Sequence, residues 1–282
     1  MLEVHAILHR QRCYENMIEK TGILSDAYNS ILNQSYHNYE IVIINDGSTD
    51  NSLEKVISLQ DKRIIVYSQP NLGVSSARNK GIEMASGQFL MFLDADDFLN
   101  EDALFTFVKL IEKYPGCIFY TANFSVSYKN ITKEFNTLHD GIIIDFYREL
   151  CLKTFFCRIG SFVIKSDYCK GNLSFNTLYS HFEDLDFIFK AFDKIHQFAY
   201  TSISVMSYDR SYSSLSSFPR NKNKSFVSSI NLNNNEYIFK RKYCAKLYFG
   251  VLFELIKRRR FKDFMSMINR NILYVYLPFS SL

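Results

Sequence analysis

The chain of 282 residues carries a formal net charge of +4 and is 47% hydrophobic and 16% aromatic, with 26 Phe, 19 Tyr and no Trp. That composition can bury a substantial core and fits one large domain, or one domain with an appendage. It argues against a membrane-spanning helix, since no apolar run reaches about eighteen residues, and against a secretory leader, since charges and histidines interrupt the N-terminus early.

Cys13, Cys117, Cys151, Cys157, Cys169 and Cys244 form no C-x-x-C pair and no metal-ligand spacing. Reduced thiols in a cytosolic setting are therefore expected. The small net charge hides an asymmetry. Residues 219–282 hold 13 Lys/Arg against 3 Asp/Glu, while residues 1–218 hold 20 against 26. An acidic body with a basic tail directs the tail toward something anionic.

In chain order, Val4–Leu8 is a candidate first strand, poorly continued by His9-Arg10-Gln11-Arg12. From Ile23 to Ser35 the apolar positions 23, 24, 27, 28, 31 and 32 recur at helical spacing. Tyr39–Ile44 is a strand closed by a loop at Asn45–Asp50, and Asn51–Leu59 is a helix with Thr49, Asp50 or Asn51 as its cap. Ile64–Tyr67 is a further strand, followed by a turn at Gln69–Gly73 and a helix from about Ser75 to Ala85 that Gly87 ends. Phe89–Leu93, five consecutive apolar residues, reads as a strand covered on both faces. Alternating strands and helices predict a parallel α/β sheet with right-handed crossovers.

The rest is less regular. Glu101–Lys113 is a helix stopped by Pro115-Gly116, Cys117–Tyr128 a strand, and residues 129–145 irregular. Phe146–Phe156 is helical, Ser161–Lys165 a short strand, Phe182 to about Lys194 a helix, Phe198–Tyr208 a strand and Ser211–Ser217 a serine-rich loop. Beyond Pro219 an Asn/Lys/Ser-rich linker leads to helical patterns, so the expected division is 1–220 and 221–282.

Three carboxylates, Asp94, Asp96 and Asp97, arrive where the Phe89–Leu93 strand must end. Open α/β sheets bind ligands beyond the carboxyl ends of their strands. Side chains at i and i+2 of extended chain project the same way, so Asp94 and Asp96 can face one ligand together. Two hard oxygen ligands suit Mg²⁺ or Mn²⁺ carrying a diphosphate. For Asp97 the expectation is a cap on the following helix.

Taken together, Asp46-Gly47-Ser48-Thr49-Asp50, Gly73 with Ala77-Arg78-Asn79-Lys80-Gly81, Leu93-Asp94-Ala95-Asp96-Asp97 and Phe182-Glu183-Asp184 resemble the bacterial family 2 glycosyltransferases of GT-A fold. These are inverting enzymes of capsule, lipopolysaccharide and exopolysaccharide synthesis. The likeness runs from about Ile23 to Ser217, and four motifs in order make it specific. It implies a GT-A sheet, mostly parallel and flanked by helices, with a C-terminal helical appendage. It also implies a UDP-sugar donor, a glycan or lipid-linked acceptor, and a bound Mg²⁺ or Mn²⁺.

By that resemblance Asp46 accepts a hydrogen bond from uracil, Arg78 lies near the nucleotide, and Asp94 and Asp96 form the DxD motif that holds the metal. Asp184 matches the general base, with Glu183 and Asp186 near enough to serve instead. The competing readings are turn chemistry for Asp46, a solvated helix face for Arg78 and a helix-start carboxylate for Asp184. Two features depart from the family. No proline precedes Ile23, so the usual Pro-x-Tyr-Asn strand end has no counterpart; either Val4–Leu8 supplies that strand or the strand is absent. The histidine of the late loop is also missing from Tyr208-Asp209-Arg210-Ser211, where Arg210 could serve the phosphates.

Residues 240–262, with Lys240-Arg241-Lys242 and Lys257-Arg258-Arg259-Arg260, suit an amphipathic segment on an anionic membrane. A packed helix with a basic outer face is the alternative. No nucleic-acid partner is expected, since no such fold signature accompanies the charge. The expected setting is cytoplasmic, peripheral on the inner face of the cell membrane. The alternative function is a non-catalytic GT-A-fold partner of another transferase. A nucleotidyltransferase is disfavoured, for want of a glycine-rich, lysine-containing phosphate loop near the N-terminus.

Overall fold

A computed structural model describes residues 4–10, 23–48, 61–94, 97–128, 131–209, 224–230 and 237–271. The expected helix over Asn51–Leu59 and the loop Ser211–Ser217 lie outside these residues, as do Asp96 and Arg210.

The first half is built from β1 (Val4–Arg10), α1 (Ile23–Leu32), β2 (Tyr39–Asp46), β3 (Ile64–Gln69), α2 (Val74–Met84) and β4 (Phe89–Asp94). β1 lies between β2 and β4 and is parallel to both, with Ile7 level with Val42 on one side and Phe92 on the other. The N-terminal segment therefore does supply the central strand, without the family's proline. β2 and β3 extend the sheet on one side of β1 while β4 lies on the other. This reversal of strand order is the kind of place where α/β sheets bind ligands.

The second half adds β5 (Phe98–Leu99), α3 (Ala103–Lys113), β6 (Phe119–Tyr128), β7 (Ile131–Glu134), β8 (Gly141–Ile143) and α4 (Phe146–Leu152). There follow β9 (Phe162–Lys165), α5 (Ser166–Asn172), α6 (Glu183–Phe192) and β10 (Phe198–Asp209), then α7 (Phe226–Ser229), α8 (Ile238–Lys257) and α9 (Phe261–Asn271). All the strands join one ten-stranded sheet of order β3-β2-β1-β4-β9-β6-β10-β5, with β7 on β6 and β8 on β10. β9 runs antiparallel to both β4 and β6, so the sheet is parallel in its first half and mixed in its second.

Four local expectations change. Residues 129–145 are not wholly irregular, because β7 and β8 pair along the outer part of the sheet. Short strands with mostly exposed side chains carry no buried stripe to betray them. The helix from Phe146 stops at Leu152, where Lys153 takes the left-handed conformation (φ 61°). α5 was not expected at all, since its Gly and Asn are poor helix formers and it buries little beyond Ser166 and Cys169. Asp97 caps no helix, because α3 begins only at Ala103.

Alternate residues of the inner strands feed two apolar layers. Val42, Ile44, Leu90, Phe92, Phe119 and Phe162 face one way, toward α2, α4 and α6. Ile41, Ile43, Phe89, Met91, Leu93 and Tyr120 face the other, toward α1 and α3. The first layer also takes in Tyr243, Tyr248, Leu252 and Leu255 of α8 and Met267 of α9. Phe189 of α6 meets the rings of Phe226 and Tyr243 at 5.6 and 6.0 Å. Among the described residues no helix is long and apolar enough to cross a membrane.

Phe92 joins sheet to helix, contacting the rings of Phe162, Phe175 and Phe187 at 6.0, 5.2 and 5.6 Å. Phe92→Ala leaves a cavity that the layer cannot refill and is expected to lower unfolding free energy by about 3–5 kcal/mol in urea denaturation.

Candidate active site

β2 and β4 both end in aspartate. Asp46 closes β2 and is buried. Its Oδ1 accepts hydrogen bonds from Gln69 Nε2 and the Leu72 N–H, and its Oδ2 from the Gly73 N–H, all at 2.8 Å. The carboxylate thus folds residues 69–73 into a wall beside the strand ends, and Gly73 (φ 91°) turns that wall into α2. Sequence reading named Asp46 but missed Gln69, which looked like the first residue of a turn.

α2 then delivers two neighbouring polar side chains with separate tasks. Asn79 bonds Phe175 twice, donating from Nδ2 to its carbonyl at 2.9 Å and accepting its N–H on Oδ1 at 2.8 Å. This fixes the segment that leads to α6 and sets the Phe175 ring against the guanidinium of Arg78, 5.1 Å from centroid to Cζ.

Arg78 is almost wholly buried rather than solvated. It donates from Nη2 to Asp94 Oδ1 at 2.7 Å and from Nη1 to Glu183 Oε1 at 3.1 Å. Its Nε is buried without a hydrogen-bond partner. One guanidinium therefore ties the carboxyl end of β4 to the first turn of α6, whose left-handed leading residue, Phe182 (φ 59°), aims that turn.

Asp184 is the next residue of the same turn and is half-buried, with Oδ1 accepting the Leu185 N–H at 2.8 Å. Its charge is felt at both Arg78 and Glu183. Asp94, Glu183 and Asp184 thus surround a single guanidinium, and the cluster carries an excess of negative charge. Asp186, the other alternative base, takes no part. It is buried and pairs with Lys190 of its own helix at 2.7 Å.

The electrostatics follow from this crowding. Burial disfavours the charged form of Arg78, yet Asp94 and Glu183 outweigh it and hold the guanidinium firmly protonated. Burial, helped by the charge of Asp184, raises the Glu183 carboxyl above its usual range despite Arg78. Cys157 is buried nearby, and desolvation raises its thiol far above the ordinary range, so it is no nucleophile.

A second arginine went unnoticed in the sequence. Arg158 precedes β9, and because β9 is reversed its first residues lie at the carboxyl end of β4. Arg158 Nη2 pairs with the buried Asp97 at 3.3 Å, and its guanidinium stacks 3.5 Å from the Tyr208 ring centroid. Asp97 is thus an ion-pair partner, and its N–H also donates to the Asp94 carbonyl at 3.1 Å.

Among the described residues no group of three His, Cys, Asp or Glu is set to hold a metal. Asp94, a carboxylate left 30% exposed beside Arg78, would fit as one hard ligand of a Mg²⁺-type ion, with phosphate and water as the others. Asp96 and Arg210 lie outside the described residues.

The sequence profile of glycosyl transferase family 2 matches residues 19–171. The chain belongs to that family. Glycosyltransferase GlyA of Streptococcus pneumoniae is 43% identical over 97 residues, covering 34% of this chain and 14% of GlyA. An uncharacterized glycosyltransferase of Haemophilus influenzae is 43% identical over 100 residues, 34% of this chain and 36% of that one. The chain thus matches only a minor part of either relative's length. The fold of this family 2 chain is GT-A, as in S. aureus TarS 1–349 in complex with UDP-GlcNAc. That structure superposes with a TM-score of 0.68 at 16% identity, covering 88% of this chain and 71% of TarS 1–349.

A group held more tightly protonated in the folded state contributes stability that is complete below its unfolded pKa and is lost as pH rises through the folded value. Glu183 is such a group. The contribution of Glu183 to the melting temperature should fall as pH rises from about 4.3, the usual glutamate value, against the opposite trend of carboxyls held below their usual range, such as Asp61 and Asp140. In Glu183→Gln, followed by thermal unfolding over the same range, that decline should be flattened.

Proposed function

We propose that the chain transfers a hexosyl or N-acetylhexosaminyl group, with inversion, from a UDP-sugar to a hydroxyl of a glycan or lipid-linked glycan. The setting is bacterial surface polysaccharide synthesis on the cytoplasmic side. The observation that carries this reading is Arg78, whose guanidinium ties Asp94 at the end of β4 to the Glu183–Asp184 turn. Family membership supports it, as do the relatives named hyaluronan synthase and chondroitin synthase from Pasteurella multocida. The TarS complex with UDP-GlcNAc supports the choice of donor.

In this reading the uracil lies against the Asp46 wall. Asp94 and Asp96 would hold the divalent ion, which supplies charge neutralisation for the departing diphosphate. Asp184 accepts the proton of the acceptor hydroxyl as its oxygen attacks the anomeric carbon from the face opposite the leaving group. The new C–O bond forms as the bond to the diphosphate breaks, and UDP leaves with the bonding pair. Arg78 keeps Asp94 and Glu183 in place and holds its own charge throughout. The alternative, a non-catalytic partner, rested on the missing Pro-x-Tyr-Asn strand end, and β1 removes half of that ground by supplying the strand.

Calorimetric titration with UDP and Mn²⁺ tests the reading. Asp184→Asn should leave UDP affinity within about twofold while transfer falls by a hundredfold or more, roughly the share of a general base. Asp96→Ala should weaken the metal-dependent part of binding. A wild-type chain that binds no UDP would instead support the non-catalytic partner.

A further inference from the structure

The basic C-terminal segment divides into two parts with different surroundings. Lys240, at the start of α8, is committed to Asp193 of α6 at 2.7 Å and rests near the Tyr147 ring. It belongs to the packed body. About 15 Å further along α8 from Tyr243, at the helical rise of 1.5 Å per residue, the surface changes. Phe253 is 67% exposed, Ile256 43%, Phe261 58% and Met265 54%, although Val251, Leu252 and Leu255 on the inner face of the same helix are buried.

These four apolar side chains flank a tight corner between α8 and α9, made by Arg259 in the left-handed conformation (φ 56°). Arg258 and Arg260 are neutralised by Glu254 and Asp263, at 2.7 and 2.6 Å. Lys257, Arg259 and Lys262 are exposed and make no ion pair among the described residues. Exposed apolar side chains interspersed along the corner with exposed cations that make no ion pair are costly in water and match an apolar layer behind anionic headgroups.

We infer that the α8–α9 corner is a membrane-docking edge, with Phe253, Ile256, Phe261 and Met265 entering the interface of an anionic bilayer and Lys257, Arg259 and Lys262 meeting its headgroups. The inference goes beyond the transfer reading and does not rest on it. Lys240 is excluded from the contact, and so is the buried face of α8. Depth of insertion comes from the apolar cluster and selectivity from charge, so each can be removed separately.

Flotation of the full chain with phosphatidylcholine vesicles, with and without about 30 mol% phosphatidylglycerol, tests this. The wild type should float with the anionic vesicles, much less with neutral ones, and lose binding as salt rises. Each Lys or Arg near such a surface contributes roughly fivefold. Lys257→Gln/Arg259→Gln/Lys262→Gln should therefore bind about a hundredfold more weakly. Phe253→Ser/Phe261→Ser should also float poorly, and because all the altered side chains are exposed, both variants should keep the wild-type melting temperature and UDP affinity. Equal flotation by wild type and either variant overturns the inference, as does equal binding to neutral vesicles. So does a concentration-dependent dimer broken by Phe253→Ser/Phe261→Ser without any vesicle binding, or retention on RNA in place of vesicles. Loss of UDP binding by a chain that still floats would count against the transfer reading alone.

Discussion

The buried guanidinium of Arg78 is the interaction on which the candidate site depends. A buried cation is tolerated only when paired and hydrogen-bonded. Its two partners come from opposite walls: Asp94, sixteen residues further along, and Glu183, 105 residues further along. Neither wall can move away without stranding a charge in a poorly solvated place. The Asn79–Phe175 clamp on the next residue strengthens the arrangement, because it fixes the ring that covers one side of the guanidinium. α2 is thus the bolt between the strand ends and the turn carrying Glu183 and Asp184. The burial that makes Arg78 effective also leaves the surrounding carboxylates undercompensated, so a cation arriving with a substrate would meet a favourable field.

Much of this is legible in the sequence. Phe89–Leu93 announced a strand covered on both faces because nothing in it is polar, and α1 announced itself by apolar spacing. The motifs around Asp46, Arg78, Asp94 and Asp184 indicated the family because their order and separation are specific. What they could not convey was partnership. Arg78 looked like a residue awaiting a nucleotide, and the fold gives it two carboxylates; Asp97 looked like a cap, and the fold gives it Arg158. The second pairing depends on β9 running backwards between β4 and β6, and strand direction leaves no trace in so short a run. β7, β8 and α5 were missed for a simpler reason: each buries too little to impose a pattern.

The basic tail shows the same distinction between composition and environment. The count of Lys and Arg beyond residue 218 treats Lys240 and Arg259 alike, and the fold separates them. The first is tied down beside α6, and the second stands out at a corner. Tyr243 and Phe226, against Phe189, bring the C-terminal helices onto the very helix that opens with Glu183 and Asp184. Whatever α8 contacts at its outer end, its inner end supports the site.

The reversed strand has a consequence for how such a chain can diversify. Residues 39–48 and 61–94 bring Asp46, Arg78 and Asp94 together near parallel strand ends, and the later part of the chain contributes Arg158 and Glu183. Substitutions in the second set can alter that side of the site while the strand ends of the first set keep their form. The two halves can then evolve at different speeds, with Arg78 as the hinge pin that both lineages of change must respect.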